Sequence, residues 1–232
     1  MTGAYDEIVS LGYDCRLAFN LRRTFGNPRA FPFDWWVTPL PALAAFLREP
    51  SVPALYDPAQ LLPVTLEGKL YAIRSARYDI ELHHEFPRDK EGMVIANWPA
   101  HVARAQERTQ FLLDRMLAIP AGARILFVRS TKGIERRALG HRFPDLIAEI
   151  RQALDALFPG LAAELLLIDP PSVIKADGVT NLWVRDQDKS DWRGTPDLWS
   201  AKLLGAGIGW SGRRSEDRVE ASPEADHSLP KW

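Results

Sequence analysis

The second half of the chain contains RILFVR at residues 124–129, PDLIAEIRQALDAL at residues 144–157 and ELLLI at residues 164–168. The two outer segments are short and apolar, which is typical of strands buried on both faces, and the middle segment has the apolar spacing of an amphipathic helix. Two strands joined by a helix lie parallel in one sheet, with a right-handed crossover. These segments therefore predict a strand–helix–strand unit with a parallel pair, which ends at Asp169.

A second strand and helix are predicted near the start of the chain. Residues 8–12 (IVSLG) form a short apolar run closed by a glycine, which favours a buried strand running into a turn. In residues 14–25 apolar side chains recur at helical spacing, and Asp14 stands at the N-cap position. The expected order is strand, turn, helix, with Cys15 in the first helical turn.

The remaining segments complete an α/β protein. Further helices are predicted at residues 43–48, 100–117 and 197–204, and further strands at residues 69–74, 78–84 and 182–184. Residues 27–41 and 49–63 are interrupted by prolines and are expected to be irregular. Together the segments predict a three-layer sandwich, with a mixed, partly parallel central sheet and helices on both faces.

Length and composition indicate one domain. The 232 residues are 46% hydrophobic and 25% charged, which is ordinary for a globular chain and within the size that one core can serve. Residues 211–232 are charged and nearly free of apolar side chains, so they cannot bury enough surface to offset the entropy lost on ordering. We expect one α/β domain over residues 1–210 and a disordered tail over residues 211–232.

Charge and composition argue against several classes of partner. The chain has 29 Lys and Arg against 30 Asp and Glu, so its net charge of −1 gives no basis for binding nucleic acid or an anionic membrane surface. It contains no apolar run of membrane-spanning length and no signal peptide, which predicts a cytoplasmic protein. The GIGWSG motif at residues 207–212 lacks the strand and helix of a dinucleotide site, and we expect no cofactor.

Cys15 is the first candidate for chemistry. As the single cysteine it excludes an intramolecular disulfide and a zinc site with two or more thiolates, and we expect no metal. A cysteine at a helix N-terminus lies at the positive end of the helix dipole, which lowers the pKa of a thiol. The expected turn is also similar to the one that exposes the nucleophile in α/β-hydrolases. The alternative is a small buried side chain without reactivity.

Two adjacent histidines and two strand-end residues are further candidates. His83 and His84 close the strand predicted at residues 78–84, and by strand alternation His84 shares the inward, apolar face. His84 is therefore the expected base for a thiol, whereas His83 faces the polar side, where a weak metal site is the less favoured alternative. Arg129 and Asp169 each end an apolar strand, where parallel sheets place their sites; either is functional or simply marks where the strand meets solvent.

Four groups of motifs carry a resemblance to a known family. They are Ser10-Leu11-Gly12-Tyr13-Asp14-Cys15-Arg16-Leu17-Ala18 with Leu21-Arg22, Phe31-Pro32-Phe33-Asp34-Trp35, His83-His84-Glu85-Phe86, and Phe127-Val128-Arg129. In the order and spacing of these motifs the chain resembles the DUF1796 family, a bacterial family described as papain-like cysteine peptidases. The resemblance covers residues 5–205.

The resemblance implies a cysteine nucleophile and a histidine base. It assigns these roles to Cys15 and His84, and it adds Asp34 as a motif residue without a defined role. The third member of the site is open among Asp169, Asn181 and Asp34. Six residues before the cysteine, where papain-like enzymes keep a glutamine for the oxyanion, this chain has Val9, so backbone amides would have to hold the oxyanion.

Two functions of different class follow from these features. One is a cysteine hydrolase or acyltransferase, such as a papain-like peptidase or amidase, acting on an amide or ester. The other is a non-catalytic or glycan-modifying cytosolic protein in which Cys15 is structural. Rapid alkylation of Cys15 at about pH 6 would indicate an activated thiolate and separate the two. The hydrophobic periodicity favours a three-layer sheet over the two-part fold of papain.

Overall fold

A computed structural model describes residues 3–26, 29–188 and 190–212 of the chain. Its strands are β1 (Gly3–Tyr5), β2 (Glu7–Ser10), β3 (Leu61–Leu66), β4 (Lys69–Ser75), β5 (Ile80–Glu81), β6 (Arg124–Ser130), β7 (Ala162–Ile168), β8 (Val179–Leu182) and β9 (Ile208–Trp210). Its α-helices are α1 (Cys15–Phe25), α2 (Leu40–Arg48), α3 (Val52–Leu55), α4 (Val102–Leu117), α5 (Gly133–Leu139), α6 (Phe143–Leu157) and α7 (Pro196–Gly205).

The central sheet has four parallel strands in the order β2-β6-β7-β8. In the register of this sheet, Val9 of β2 is paired with Phe127 of β6, and Phe127 is paired with Leu165 of β7. The parallel pair predicted around the helix at residues 144–157 is confirmed as β6 and β7. The antiparallel strands, β3-β4-β5, form a separate sheet, and β1 pairs with β9 in a two-stranded one.

Helices cover both faces of the central sheet. Val9, Phe127 and Leu165 belong to one apolar cluster, which also contains buried side chains from α2, α4 and α6. The alternate strand residues, such as Ile8 and Leu126, belong to a second cluster with α1 and α7. Because successive strand residues point to opposite faces, the two clusters lie on opposite sides of the sheet. The predicted α/β class is confirmed, and the layers are helix, sheet, helix.

Helix α1 begins and ends as its sequence predicts. The Asp14 carboxylate accepts a hydrogen bond from the Arg16 amide at 3.2 Å and so caps the first turn. Leu17 and Leu21 are buried against the sheet. The helix ends at Gly26, whose φ of 67° is left-handed and whose amide donates to the Arg22 carbonyl at 2.8 Å.

Several predicted strand boundaries are wrong. The strand expected over residues 78–84 is only Ile80–Glu81. At its start, Asp79 is in a turn, with φ of 59° and its amide bonded to the Ser75 carbonyl. At its end, the Arg88 guanidinium donates to the Tyr71 and His83 carbonyls and holds the chain in a turn. The strand expected at residues 182–184 lies earlier in the chain, as β8 (Val179–Leu182). Strand β3 falls partly in a stretch expected to be irregular. It contains Pro63 and lies at the edge of its sheet, where a missing amide costs no pairing.

The predicted tail falls mostly outside the described residues, which end at Gly212. Its first residue, Ser211, is bonded instead to the folded part, with its amide 2.8 Å from the Tyr5 carbonyl. The disorder expected for residues 213–232 falls outside the described residues and stays a prediction. Within the described ranges, none of the helices is both long enough and apolar enough to cross a membrane.

Candidate functional site

Cys15 lies where β2 passes into α1 at the carboxyl edge of the central sheet. The turn between them is held by backbone bonds from Leu11 to Val128 (2.8 Å), from Ser130 to Gly12 (3.0 Å) and from Thr38 to Tyr13 (2.9 Å). Gly12 has φ of 77°, a left-handed conformation that side chains disfavour. Cys15 is the first residue of α1 and is half-buried. The predicted order of strand, turn and helix is confirmed.

The electrostatics around the thiol differ from the expectation. Burial and the neighbouring Asp14 carboxylate raise the pKa of Cys15 to about 11, although Lys132, the backbone amide and Arg16 act in the opposite direction. Asp14 also forms an ion pair with Lys132. Burial therefore outweighs the helix N-terminus, and the expected lowering of the thiol pKa is not found. At neutral pH the side chain is a protonated thiol.

Both histidines lie in the turn that follows β5, within a cluster of half-buried rings. The His83 ring is 4.6 Å from Tyr71 and 4.6 Å from His84, and His84 is 5.7 Å from Trp35, all between ring centroids. We call Trp35, Tyr71, His83 and His84 the ring cluster. Because His83 and His84 are outside the strand, strand alternation does not decide which of them faces inward.

The imidazoles of the ring cluster are neutral. Burial lowers the pKa of His83 to about 3, and His84 and Arg88 add to that effect. Burial also lowers the pKa of His84 to about 4, together with the positive charges of Arg88 and Arg108. A neutral imidazole can accept a proton, so both rings are in the protonation state of a general base, although the lowered pKa makes each a weaker base than a free imidazole.

One extended segment lies between the turn that presents Cys15 and the turn that holds the histidines. The Thr38 amide bonds to the Tyr13 carbonyl, and Val37 exchanges two backbone bonds of 3.0 Å with Glu81, two residues before His83. Tyr71 contacts the histidine turn through His83. Burial is the main cause that raises its pKa, and the negative charge that Cys15 would carry adds to the rise. Sequence reasoning did not single out Tyr71.

Asp34 serves the loop that precedes α2. Its carboxylate is buried, pairs with Arg22 and accepts the Phe31 amide at 2.8 Å. Burial raises the pKa of Asp34 to about 6 despite the opposing charge of Arg22. Since Arg22 is seven residues after Cys15, the pair lies about 10 Å further along the axis of α1. Asp34 is thus connected to the ring cluster through Arg22, whose Cζ is 5.2 Å from the Trp35 ring.

Asp169 and Asn181 stabilise loops on more distant strands. The Asp169 carboxylate accepts the Arg185 amide at 2.9 and 3.2 Å. The Asn181 amide group makes two bonds with the backbone of Ile174, at 3.0 and 2.9 Å. Their strands are two and three places from β2, which at about 4.8 Å per strand is about 10 and 14 Å away. The structure does not bring these two side chains to the Cys15 turn.

Arg129 does lie at the turn that presents Cys15. It is fully buried on β6, next to β2, and its Nη1 donates to the Leu11 carbonyl at 3.1 Å. Its Cζ is 5.7 Å from the centre of the Tyr13 ring. Of the two strand-end residues selected from the sequence, Arg129 is the one in contact with the candidate site.

Backbone amides are the donors that this site offers to an oxyanion. Val9, which stands where papain-like enzymes keep a glutamine, is in β2 with 0% of its side chain exposed. The amides of the first turn of a helix have no partner within the helix. In α1 the Arg16 amide bonds to Asp14, so the Cys15 and Leu17 amides are the candidates.

Among the residues that the structure describes, no group of three or more His, Cys, Asp or Glu side chains is arranged to hold a metal ion. No family model, curated protein or solved structure matches the chain. The function therefore has to be inferred from the geometry of the site.

The charges beside Cys15 make a direct test of its surroundings possible. Asp14→Asn keeps a good N-cap but removes the negative charge, so it should lower the thiol pKa and speed alkylation by iodoacetamide at pH 8 about tenfold. Lys132→Met should slow the same reaction. The control is Asp114→Asn, an exposed change on α4. Equal rates for Asp14→Asn and wild type would contradict the placement of Cys15 beside this carboxylate.

Proposed function

We propose that the protein is a cysteine-dependent hydrolase acting on an amide or ester, with Cys15 as the nucleophile and a histidine of the ring cluster as the base. The observation that carries the proposal is the position of Cys15 at the strand–turn–helix junction, across one extended segment from the ring cluster. The resemblance to papain-like peptidases supports the same roles. Membership in that family and a cytoplasmic location are part of the proposal.

The protonation states specify how such a reaction would proceed. The thiol is protonated and both imidazoles are neutral, so the base accepts the thiol proton while Sγ attacks the carbonyl carbon. The Cys15 and Leu17 amides stabilise the oxyanion. The leaving group takes the proton from the imidazolium, and a thioester remains on Cys15. Water then hydrolyses the thioester with the same imidazole as the base.

The contacts favour His83 as the base over His84. His83 contacts Tyr71, the side chain whose pKa a negative charge on Cys15 would raise, whereas His84 contacts Trp35, the ring that Arg22 covers. The resemblance implies His84. The strand alternation that also supported His84 does not apply, because β5 ends at Glu81.

An ester that acylates cysteine hydrolases tests the proposal. Incubation with p-nitrophenyl acetate should add one acetyl group to Cys15, detected by mass spectrometry of the peptide, and release nitrophenolate in a burst. His83→Gln should slow acylation at least tenfold, because proton transfer to a positioned base contributes about a hundredfold or more. His84→Gln is the matched control and should slow acylation less.

Absence of an acyl group on Cys15 across a panel of esters and amides would reject the hydrolase. A larger effect of His84→Gln than of His83→Gln would instead keep the hydrolase and assign the base to His84.

The second candidate function is a non-catalytic or glycan-modifying protein with a structural cysteine. The observation that favours it is the raised pKa of the half-buried Cys15 thiol, since a structural cysteine is unreactive when its surroundings disfavour the thiolate. This candidate predicts that no ester acylates Cys15 and that iodoacetamide reaches it only on unfolding.

A further inference from the structure

A guanidinium group without solvent contact lies beneath the turn that presents Cys15. Arg129 has 0% of its side chain exposed and is the last residue but one of β6. Its Nη2 donates to Glu135 Oε1 at 2.7 Å, and its Nη1 donates to the Leu11 carbonyl at 3.1 Å. Arginine and glutamate are rarely buried to this degree, so the pair calls for a physical reason.

The pair connects four elements of the fold. Leu11 follows β2, Arg129 is in β6, and Glu135 is in α5. Glu135 Oε1 also accepts the amide of Leu40, the first residue of α2, at 2.5 Å. One carboxylate oxygen and one guanidinium group therefore link β2, β6, α5 and α2 at the carboxyl edge of the sheet.

A contribution to stability is a weak reason for burying such a pair. Removing two charges from water costs about as much as their attraction returns, and apolar side chains of similar volume are often equally stabilising in such a position. Arg129 Nε and Glu135 Oε2 are moreover buried without a hydrogen-bond partner among the described residues, which adds to the cost. What the pair supplies instead is geometry, because a guanidinium donates in fixed directions.

The contacts of Arg129 involve the residues that precede Cys15. Leu11, which receives the bond from Arg129, is followed by Gly12, where an added Cβ would lie only 3.4 Å from Arg129 Nη1. The next ring, Tyr13, packs over the guanidinium. Arg129 thus bonds to the backbone of Leu11, closes off the space beside Gly12 and packs against the Tyr13 ring, and Cys15 follows two residues later.

We infer that Arg129 and Glu135 are positioning residues, which hold the Leu11–Tyr13 turn and thereby fix Cys15 relative to Tyr71 and His83. An effect of this pair on catalysis rests on the proposed hydrolase function. Its effect on the position of the thiol does not depend on that function. Ser130 also bonds to this turn, through its backbone and its hydroxyl. Arg129 and Glu135 therefore share the positioning of this turn with Ser130.

The test uses Glu135→Gln, which keeps the shape and the acceptor but removes the charge, and Arg129→Lys, which keeps the charge but cannot reach both partners. In either variant the turn should loosen and the thiol should become more exposed. Alkylation of Cys15 by iodoacetamide at pH 8 should then rise about tenfold, with its pH midpoint moved down toward that of an ordinary thiol. Acylation by p-nitrophenyl acetate should fall at least tenfold at saturating ester. The control is Glu149→Gln, because Glu149 is on α6 and forms an exposed ion pair with Arg48 of α2, and it should change neither rate.

The outcomes separate this inference from the proposed function. A folded variant with the wild-type alkylation profile would overturn the positioning role, whatever the activity. If Glu135→Gln does not fold, Arg129→Lys decides by the same two readouts, and failure of both to fold would show that the pair serves the fold rather than the turn. If wild-type protein is never acylated, the hydrolase is rejected while the alkylation profile still tests the placement of Cys15.

Discussion

Replacing Cys15 with serine is expected to abolish turnover of the ester or amide while leaving the free energy of unfolding within about 1.5 kcal/mol of wild type. The change is nearly isosteric and the site is half-buried, so little packing is lost. A hydroxyl is far less acidic than the thiol, so an imidazole that accepts the thiol proton during attack does not activate a serine to the same extent. The loss should be on the order of a thousandfold or more in kcat/KM, as for removal of a nucleophile.

Steady-state kinetics and urea denaturation on the same preparation check this expectation. Cys15→Ala serves as the matched variant, because it removes both the thiol and any hydroxyl chemistry and should lose the same turnover. Retained turnover together with a loss of several kcal/mol in stability would identify a structural cysteine. That result would favour the non-catalytic candidate, since the raised thiol pKa is already compatible with it.

The central layers of the fold follow from local pattern. The strands β2, β6 and β7 are apolar runs, and α1, α4 and α6 have helical spacing that needs no long-range information to recognise. Asp14 and Gly26 mark the ends of α1 by their own backbone chemistry. Helices and buried strands of this kind could be predicted because each residue's preference agrees with the final structure.

The end of β5 could not be predicted in the same way. The residues after Ile80 continue to alternate between apolar and polar, so the pattern predicts strand through His84. The strand ends at Glu81, with one further backbone bond from the Leu82 amide to the Ile73 carbonyl at 2.7 Å, and Arg88, further along the chain, holds the following turn by bonding to backbone carbonyls. A contact made by a side chain several residues away leaves no periodic trace in the sequence.

The residues of the candidate site could also be predicted only in part from the sequence. Cys15 and Arg129 were visible as single unusual residues, one at a helix start and one in an apolar strand. Tyr71 and Glu135 were not, because Tyr71 is an ordinary strand residue and Glu135 is in α5, a short helix without an evident pattern. Their importance arises from the parts of the chain that folding brings next to them.

The core beneath the histidine turn is the place where a substitution should be most damaging to stability. Trp36 has 0% of its side chain exposed, and its ring packs edge-on against Phe33 at 5.4 Å and Phe46 at 5.7 Å. Trp36→Ala should cost about 3–5 kcal/mol, because it leaves a cavity that these rings cannot fill. The indole also donates to Glu85 Oε1 at 3.0 Å, so the carboxyl group loses its partner as well.

Urea denaturation measures that cost, and Trp35→Ala is the matched control. Trp35 is the neighbouring residue but is half-buried at the edge of the ring cluster, so its removal should cost much less. Equal losses for the two variants would mean that the packing around Trp36 does not carry the stability assigned to it.

Trp36→Phe separates the hydrogen bond from the packing through the effect of pH. Burial raises the pKa of Glu85, so the native state holds this proton more tightly than the unfolded chain does, whose ordinary value is 4.5. Stability from this group is therefore present at low pH and is lost as the pH rises above that value.

The Trp36 bond opposes the rise in the pKa of Glu85, so removing it raises that pKa further. The destabilisation caused by Trp36→Phe, about 1–3 kcal/mol for a buried group left unpaired, should thus be larger at pH 8 than at pH 5. A difference between wild type and variant that stays constant, or grows on acidification, would show that Glu85 does not depend on the indole.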